Sequence, residues 1–250
     1  MARNYHKNRP TRELIMQTGT RMFLEQGYTN THCSHITKAL GISPGNLTFY
    51  FSTKEHLLAE LIQLLCDHQW QVMEAFNDDG KSPLYSYCME LVVMAEHCRE
   101  NPNSKDFYLS AYTLPIPLEI IRRNDTQKAK RVFGEFCPEF SDQDFTYLEN
   151  LVSGIEYATL STDLSDEKTF VGMLSHALDS IMRIYRVPDD IRHGKIQKVL
   201  AGNYRQVAQN IMKDFTTYVD AITEAALENA VHYLEHHGSS AEIRNGGSPR

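Results

Sequence analysis

Apolar residues recur every three or four positions along most of the chain, and Gly and Pro fall between these stretches, not inside alternating β-branched runs. The pattern predicts helices throughout. Thr11 to Gln26 reads as the first, with Ile15, Met22 and Phe23 on one face and Gly27 placed to end it. Gly19 lies among those apolar positions and costs a helix roughly 1 kcal/mol relative to Ala, so another helix is expected close by. A second, short helix runs from Cys33 to Leu40, capped by Asn30 or Thr31, with Ile36 and Leu40 inward. After Gly41 comes Ile42-Ser43-Pro44-Gly45-Asn46-Leu47, where Ser43 suits the N-cap and Pro44 the first position of a two-turn helix. Ser52-Thr53-Lys54-Glu55 reads as a capping box, with Ser52 the cap and Glu55 reaching back. It opens a long fourth helix to about Asn77, with Leu57, Leu61, Leu65, His68 and Val72 on one stripe. Further helices are expected near 83–100, 104–113, 117–136, 141–161, 166–186, 189–201 and 203–237, and the Gly- and Ser-rich stretch 238–250 as an unstructured tail. The expected fold is all-α. A three-helix head spans 1–53 and a helical bundle spans 54–237.

The second and third helices, joined by Leu40-Gly41-Ile42-Ser43, have the layout of a helix-turn-helix. In the third helix Leu47 and Phe51 are four apart and point inward. That leaves Pro44, Gly45, Asn46, Thr48, Phe49 and Tyr50 outward. Adjacent exposed aromatics are odd on a solvated face and reasonable on one that enters a DNA groove. Thr48 and Phe49 suit a thymine methyl, and Asn46 a base edge or a phosphate. His32, at the start of the second helix, is a candidate phosphate contact.

Charge sharpens this picture. Residues 1–54 carry seven basic side chains (Arg3, Lys7, Arg9, Arg12, Arg21, Lys38, Lys54) against Glu13 and Glu25. The whole chain has 25 basic and 32 acidic residues and a net charge of −7. A basic head on an acidic body predicts that the head alone meets a polyanion, double-stranded DNA. No apolar run reaches the length of a membrane span, and no secretory signal marks Met1. The five scattered cysteines form no CxxC, and His32 and His35 flank Cys33 without a second ligand pair, so no metal and no cofactor is expected, and a cytoplasmic location is. No catalytic motif is present, and an enzyme is not expected.

Residues 9–58 resemble the N-terminal domain of the TetR family of bacterial transcriptional regulators. The resemblance rests on Ile15, Met22-Phe23 and Gly27-Tyr28, on Thr31, Ile36 and Ala39-Leu40-Gly41-Ile42-Ser43, and on Gly45-Asn46-Leu47, Phe51 and Lys54-Glu55-His56-Leu57-Leu58. It implies an all-helical homodimer that senses a small molecule with its C-terminal part and then releases DNA. It also implies DNA contacts at Asn46, Thr48, Phe49 and Tyr50, with Ser43, Pro44 and Gly45 beside them and Lys54 and Thr31 on phosphates. Thr48 stands where the family usually has Tyr, and Tyr50 where it often has His. The resemblance makes 141–161 and 166–186 the dimer helices, through Leu148, Val152, Ile155 and Thr159 and through Leu174, Ala177, Ile181 and Tyr185. Residues 189–237 then form an extension.

The body is rich in aromatics and Met. Trp70, Met73, Phe76, Tyr87, Met94, Tyr108, Tyr112 and Tyr157 are candidate walls of an apolar pocket for a hydrophobic or aromatic effector. Glu90 and Glu96 are expected at the surface; facing inward, they would favour a cation. The fourth helix, a rod of about 36 Å, would link that pocket to the reading helix. The expected function is a ligand-relieved repressor on a palindromic operator. The alternatives are a constitutive or activating DNA-binder whose body docks protein, and an all-α enzyme.

Overall fold

A computed structural model describes residues 11–78, 82–163 and 165–237. Among the described residues every regular element is an α-helix. The head holds α1 (Thr11–Gln26), α2 (Cys33–Leu40) and α3 (Pro44–Tyr50), and α4 (Lys54–Asp78) leads into the body. There follow α5 (Pro83–Glu100), α6 (Pro102–Thr113), α7 (Pro115–Phe133), α8 (Asp142–Ser161), α9 (Glu167–Ile184), α10 (Asp189–Leu200) and α11 (Tyr204–His237). The expected tail at 238–250 lies outside the described residues.

Local chemistry sets these boundaries. Three helices start with a polar cap followed by Pro, whose missing N–H costs nothing in the first turn. Ser43 Oγ accepts from Asn46 N at 3.1 Å, Ser82 Oγ from Tyr85 N at 3.3 Å, and Asn101 Oδ1 from Asn103 N and Ser104 N at 3.0 and 3.1 Å. α8 opens with a capping box between Ser141 and Asp144. Two expected caps are corrected. His32 holds the N-cap position of α2, because the Thr31 hydroxyl turns inward. α4 starts at Lys54, and Thr53 Oγ1 accepts from His56 N at 3.2 Å. Glu55 does not reach back to Ser52. It crosses to the start of α7, where its Oε1 accepts from Ile116 N at 3.0 Å.

α5 is the axis of the body. Its side chains are buried all round from Leu84 to Cys98, with Glu90 alone half-buried, so it carries little amphipathic signal. It packs on α4, α6, α7, α8, α10 and α11. α1 and α4 meet where Gly19 predicts it: a Cβ there would stand 3.0 Å from Leu57 Cδ2.

The extension is built into the molecule. α11 buries Tyr204, Ala208, Met212, Phe215, Val219 and Thr223, a stripe at three- and four-residue spacing. It lies along α5 and α4 and ends against α1. There Asp220 accepts from Gln17 Nε2 at 2.7 Å and from Arg21 Nη2 at 2.8 Å, and Thr223 Oγ1 donates to Glu13 O at 3.4 Å.

The predicted dimer stripes are core. Val152, Thr159, Leu174, Ala177, Ile181 and Tyr185 are buried within the single chain, and Leu148 and Ile155 pack against that core. Tyr185 stacks on Phe133 with centroids 4.3 Å apart, so it has no face left for a second copy. α8 carries a different exposed stripe: Tyr147, Leu151, Gly154 and Ala158, with Tyr147 and Leu151 62% and 61% exposed.

Candidate functional site

α3 is the most exposed helix of the head. Leu47 and Phe51 anchor it, 1% and 2% exposed, while Pro44, Gly45, Asn46, Thr48, Phe49 and Tyr50 stand outward as the spacing predicts. Phe49 is 81% exposed and meets Tyr50 edge-on, with ring centroids 5.0 Å apart. The Thr48 hydroxyl donates to the carbonyls of Pro44 and Gly45 at 3.2 Å, which leaves its methyl as the group for an outside contact. Ser43 is exposed as well, but its Oγ is committed to the cap. His32 and His35 are exposed at the start of α2, edge to face at 5.1 Å.

Two expected phosphate contacts are corrected. Thr31 is fully buried, and its hydroxyl donates to Gly27 O at 2.8 Å and Met22 O at 3.1 Å. Lys54 Nζ donates to Tyr28 O at 2.8 Å and Thr31 O at 3.0 Å and sits 4.0 Å from the centre of the Tyr28 ring. Burial lowers the Lys54 pKa and pushes the Tyr28 phenol up to about 12. Lys54 is therefore a brace that closes the turn between α1 and α2. Two other basic residues of the head are also engaged. Arg12 pairs with Glu60 at 2.7 Å and Arg21 with Asp220 at 2.8 Å. Lys38 on α2 is exposed.

The head is fastened to the body at α6 as well. Thr29 donates its N–H and its hydroxyl to the two oxygens of Asp106, at 2.7 and 2.6 Å, and Asn103 Nδ2 donates to Glu25 O at 2.6 Å. Gly27 makes this possible. Its φ is +83°, and a Cβ would stand 2.8 Å from Asp106 Oδ2.

Inside the body a cavity of about 30 Å³ lies among α4, α5, α6, α7 and α8. Tyr87, Met94, Tyr108 and Tyr112 line it, as expected from the sequence, together with Gln69. Its other walls are apolar side chains of α4, α5, α6 and α7 and four charged residues, Glu90, Asp125, Lys128 and Glu156. Lys128, 2% exposed, donates to both Glu90 oxygens at 2.8 and 2.9 Å and pairs with Asp125 at 3.2 Å. Burial opposes the Lys128 charge, but Glu90 and Asp125 outweigh it and raise the pKa. Tyr112 OH donates to Glu156 Oε2 at 3.0 Å. Burial, then Asp125 and Glu149, drive the Glu156 carboxyl well above the usual carboxylate range. The Tyr87 and Tyr108 hydroxyls are buried with no hydrogen-bond partner among the described residues. A second cavity of about 80 Å³ lies on the far side of Gln69 and Glu90, walled by α4, α5 and α11 through His68, Val72, Met89, Val93, Val207, Ile211 and Asp214.

The expectation that Glu90 and Glu96 are surface charges is thus wrong. Glu90 faces both cavities, and Glu96 is fully buried against Arg99 at 2.7 Å. Trp70 lines neither of these two cavities. It lies half-buried beneath the Arg131 guanidinium, 5.4 Å from the ring centre. Tyr157, 38% exposed, faces out from α8. The side chains of Met73 and Phe76 lie outside the described residues.

Residues 15–61, which span α1, α2, α3 and the first turns of α4, match the family described as bacterial regulatory proteins, tetR family. Over this segment the chain is similar to TetR-family regulators. A curated relative, an uncharacterized HTH-type transcriptional regulator YuxN of Bacillus subtilis (strain 168), is 29% identical over 108 residues, which are 43% of this chain and 37% of that protein. The match thus spans little more than a third of the relative's length. Among solved structures, a gamma-butyrolactone receptor (ArpA-like protein) aligns over 82% of this chain and 97% of its own, with 18% identity and a TM-score of 0.41. The TetR family protein CprB from S. coelicolor A3(2) aligns over 83% of this chain and 98% of its own, with 20% identity and a TM-score of 0.42. The matched segment is the part whose outward face carries Asn46, Thr48, Phe49 and Tyr50. The charged cavities lie in the part beyond it.

Proposed function

We propose that this chain is a ligand-responsive repressor that binds a palindromic operator as a homodimer. Asn46, Thr48, Phe49 and Tyr50 of α3 read base edges in the major groove, while His32 and Lys38 of α2 face phosphates. Phe49 carries this reading: an aromatic ring held 81% exposed on a rigid, well-capped helix has no role in the fold. The partner is a second copy. Its seat is the exposed stripe Tyr147, Leu151, Gly154 and Ala158 of α8.

Release follows from two rods. α4 lines both cavities and begins at the end of α3, and α11 lines the second cavity and holds α1 through Asp220. Drug-sized ligands need roughly 300 Å³ or more, so neither cavity admits one unless the helices part. Ligand entry and movement of the rods are then one event. A ligand that fits only the parted state lowers DNA affinity by its differential binding energy, and DNA weakens the ligand by the same factor. Selection of bound DNA from random duplexes tests the reading: two symmetric half-sites are expected, and a lone half-site or no enrichment overturns it.

A further inference from the structure

The two cavities are adjacent, and what lines them is one-sided. Gln69 and Glu90 belong to the walls of both and form the partition between them. Around the combined space stand four carboxyl groups, Glu90, Asp125, Glu156 and Asp214, and one ammonium, Lys128, with burial favouring the protonated form of Glu156. Lys128 is held by both oxygens of Glu90 and by Asp125. It has little left to offer an anion, and Glu156 and Asp214 receive no cation from the cavity walls. Burial keeps the His68 imidazole below its ordinary pKa despite Asp214 nearby, so the second cavity gains no fixed positive charge from it.

An independent observation points to a ligand. Tyr87 and Tyr108, 5% and 2% exposed, carry hydroxyls without partners among the described residues, and both line the first cavity. An orphaned buried hydroxyl is costly in a folded chain unless something satisfies it. With Tyr112 they also present aromatic rings, whose faces attract cations. The second cavity, by contrast, is walled mainly by Val72, Met89, Val93, Val207 and Ile211.

We infer that the effector is a protonated amine on an apolar body, with its ammonium among Glu156, Glu90 and the Tyr87 and Tyr108 hydroxyls and its hydrocarbon against α5 and α11. The ammonium donates N–H bonds to the two phenol oxygens, and its charge opposes the burial that keeps Glu156 protonated, so that binding draws the proton off that carboxyl. The apolar body crosses the Gln69–Glu90 partition into the second cavity. An anion meets a Lys128 already held by Glu90 and Asp125, and a neutral alcohol brings no charge to draw the proton from Glu156. This assignment rests on the ligand-responsive reading and narrows it to one chemical class.

The test uses three probes of one length on the full chain: octylamine (protonated at pH 7), octan-1-ol and octanoate. Binding is read by calorimetry, and operator release by electrophoretic titration. Octylamine is expected to bind at least tenfold more tightly than the other two and to release the operator. Glu156→Gln, checked for fold by circular dichroism, should weaken octylamine about tenfold and leave octan-1-ol unchanged. If octan-1-ol or octanoate binds as tightly as octylamine and releases DNA, the chemical class is wrong and the ligand-responsive reading stands. If none of the three binds, or octylamine binds and operator affinity does not change, both are overturned. If Glu156→Gln leaves octylamine binding intact, the ammonium is not where it is placed here.

Discussion

Phe49 is 81% exposed on α3, whereas Lys128 is 2% exposed in the body. The head puts an aromatic ring into water, and the body puts an ammonium and several carboxylates into its interior. Each inverts the usual partition of residues, and folding alone favours neither. The head tolerates its inversion because α3 is secured elsewhere, by Leu47, Phe51 and the Ser43 cap. The body tolerates its own because Lys128 is paired with Glu90 and Asp125. Such exceptions mark work other than folding, proposed here as an outer face for a rigid polyanion and an inner one for a small ligand. Breaking the two regions should therefore give opposite results. Changes at α3 should cost DNA affinity and leave stability alone, and changes in the cavity should cost stability first.

The largest expected effect is in the cavity. Glu90→Ala leaves Lys128 buried beside Asp125 alone and should destabilise the chain by about 3–5 kcal/mol, read by denaturant unfolding. Next comes the surface between copies. Leu151→Glu, on the exposed stripe of α8, should give a folded monomer whose operator affinity drops at least a hundredfold. Ile181→Glu, at a fully buried core position, should unfold the chain instead. Sedimentation and circular dichroism separate these outcomes, and a Leu151→Glu dimer would remove that stripe from the interface.

A subtler effect concerns pH. Burial, with Asp125 nearby, pushes the Glu149 carboxyl up to about 8, although the Tyr185 hydroxyl donates to it. Between its ordinary value of 4.5 and about 8 the folded chain holds a proton that the unfolded chain has lost. The resulting stability is full below 4.5 and gone once pH passes about 8. The melting temperature should fall across that window, and Glu149→Gln should flatten the fall. The smallest effect is on the reading side. Lys38→Ala should weaken all DNA sequences alike and reduce the salt slope by about one per subunit. Lys54→Ala should instead loosen the turn between α1 and α2 and lower the melting temperature, because its ammonium braces Tyr28 and Thr31.

The helices were legible because their signals are local. Ser43-Pro44, Ser82-Pro83 and Asn101-Pro102 cap where they stand, and Gly27 ends α1 where a positive φ is needed. The outward face of α3 was legible too, since Leu47 and Phe51 fix its rotation. What stayed hidden depends on partners distant in the chain. Lys128 meets Glu90 across 38 positions, and no local pattern tells that pair from two solvated charges. Periodicity grouped Leu148, Val152, Ile155 and Thr159 on one face of α8 but could not say whether that face met its own chain or another copy. Thr31 and Lys54 fit a phosphate contact by residue type. The carbonyls of Met22, Gly27 and Tyr28 claim them in the folded turn.

The contrast between head and body turns on whether α3 reads bases with its exposed ring. Selection from random duplexes, run in parallel with the wild-type chain and with Phe49→Ala, asks this most directly. The account predicts that the variant stays folded, still selects two symmetric half-sites, and loses preference at the same base pair in each by about 1–3 kcal/mol. An unchanged preference at every position would contradict it, since Phe49 would then be exposed for some reason other than reading DNA.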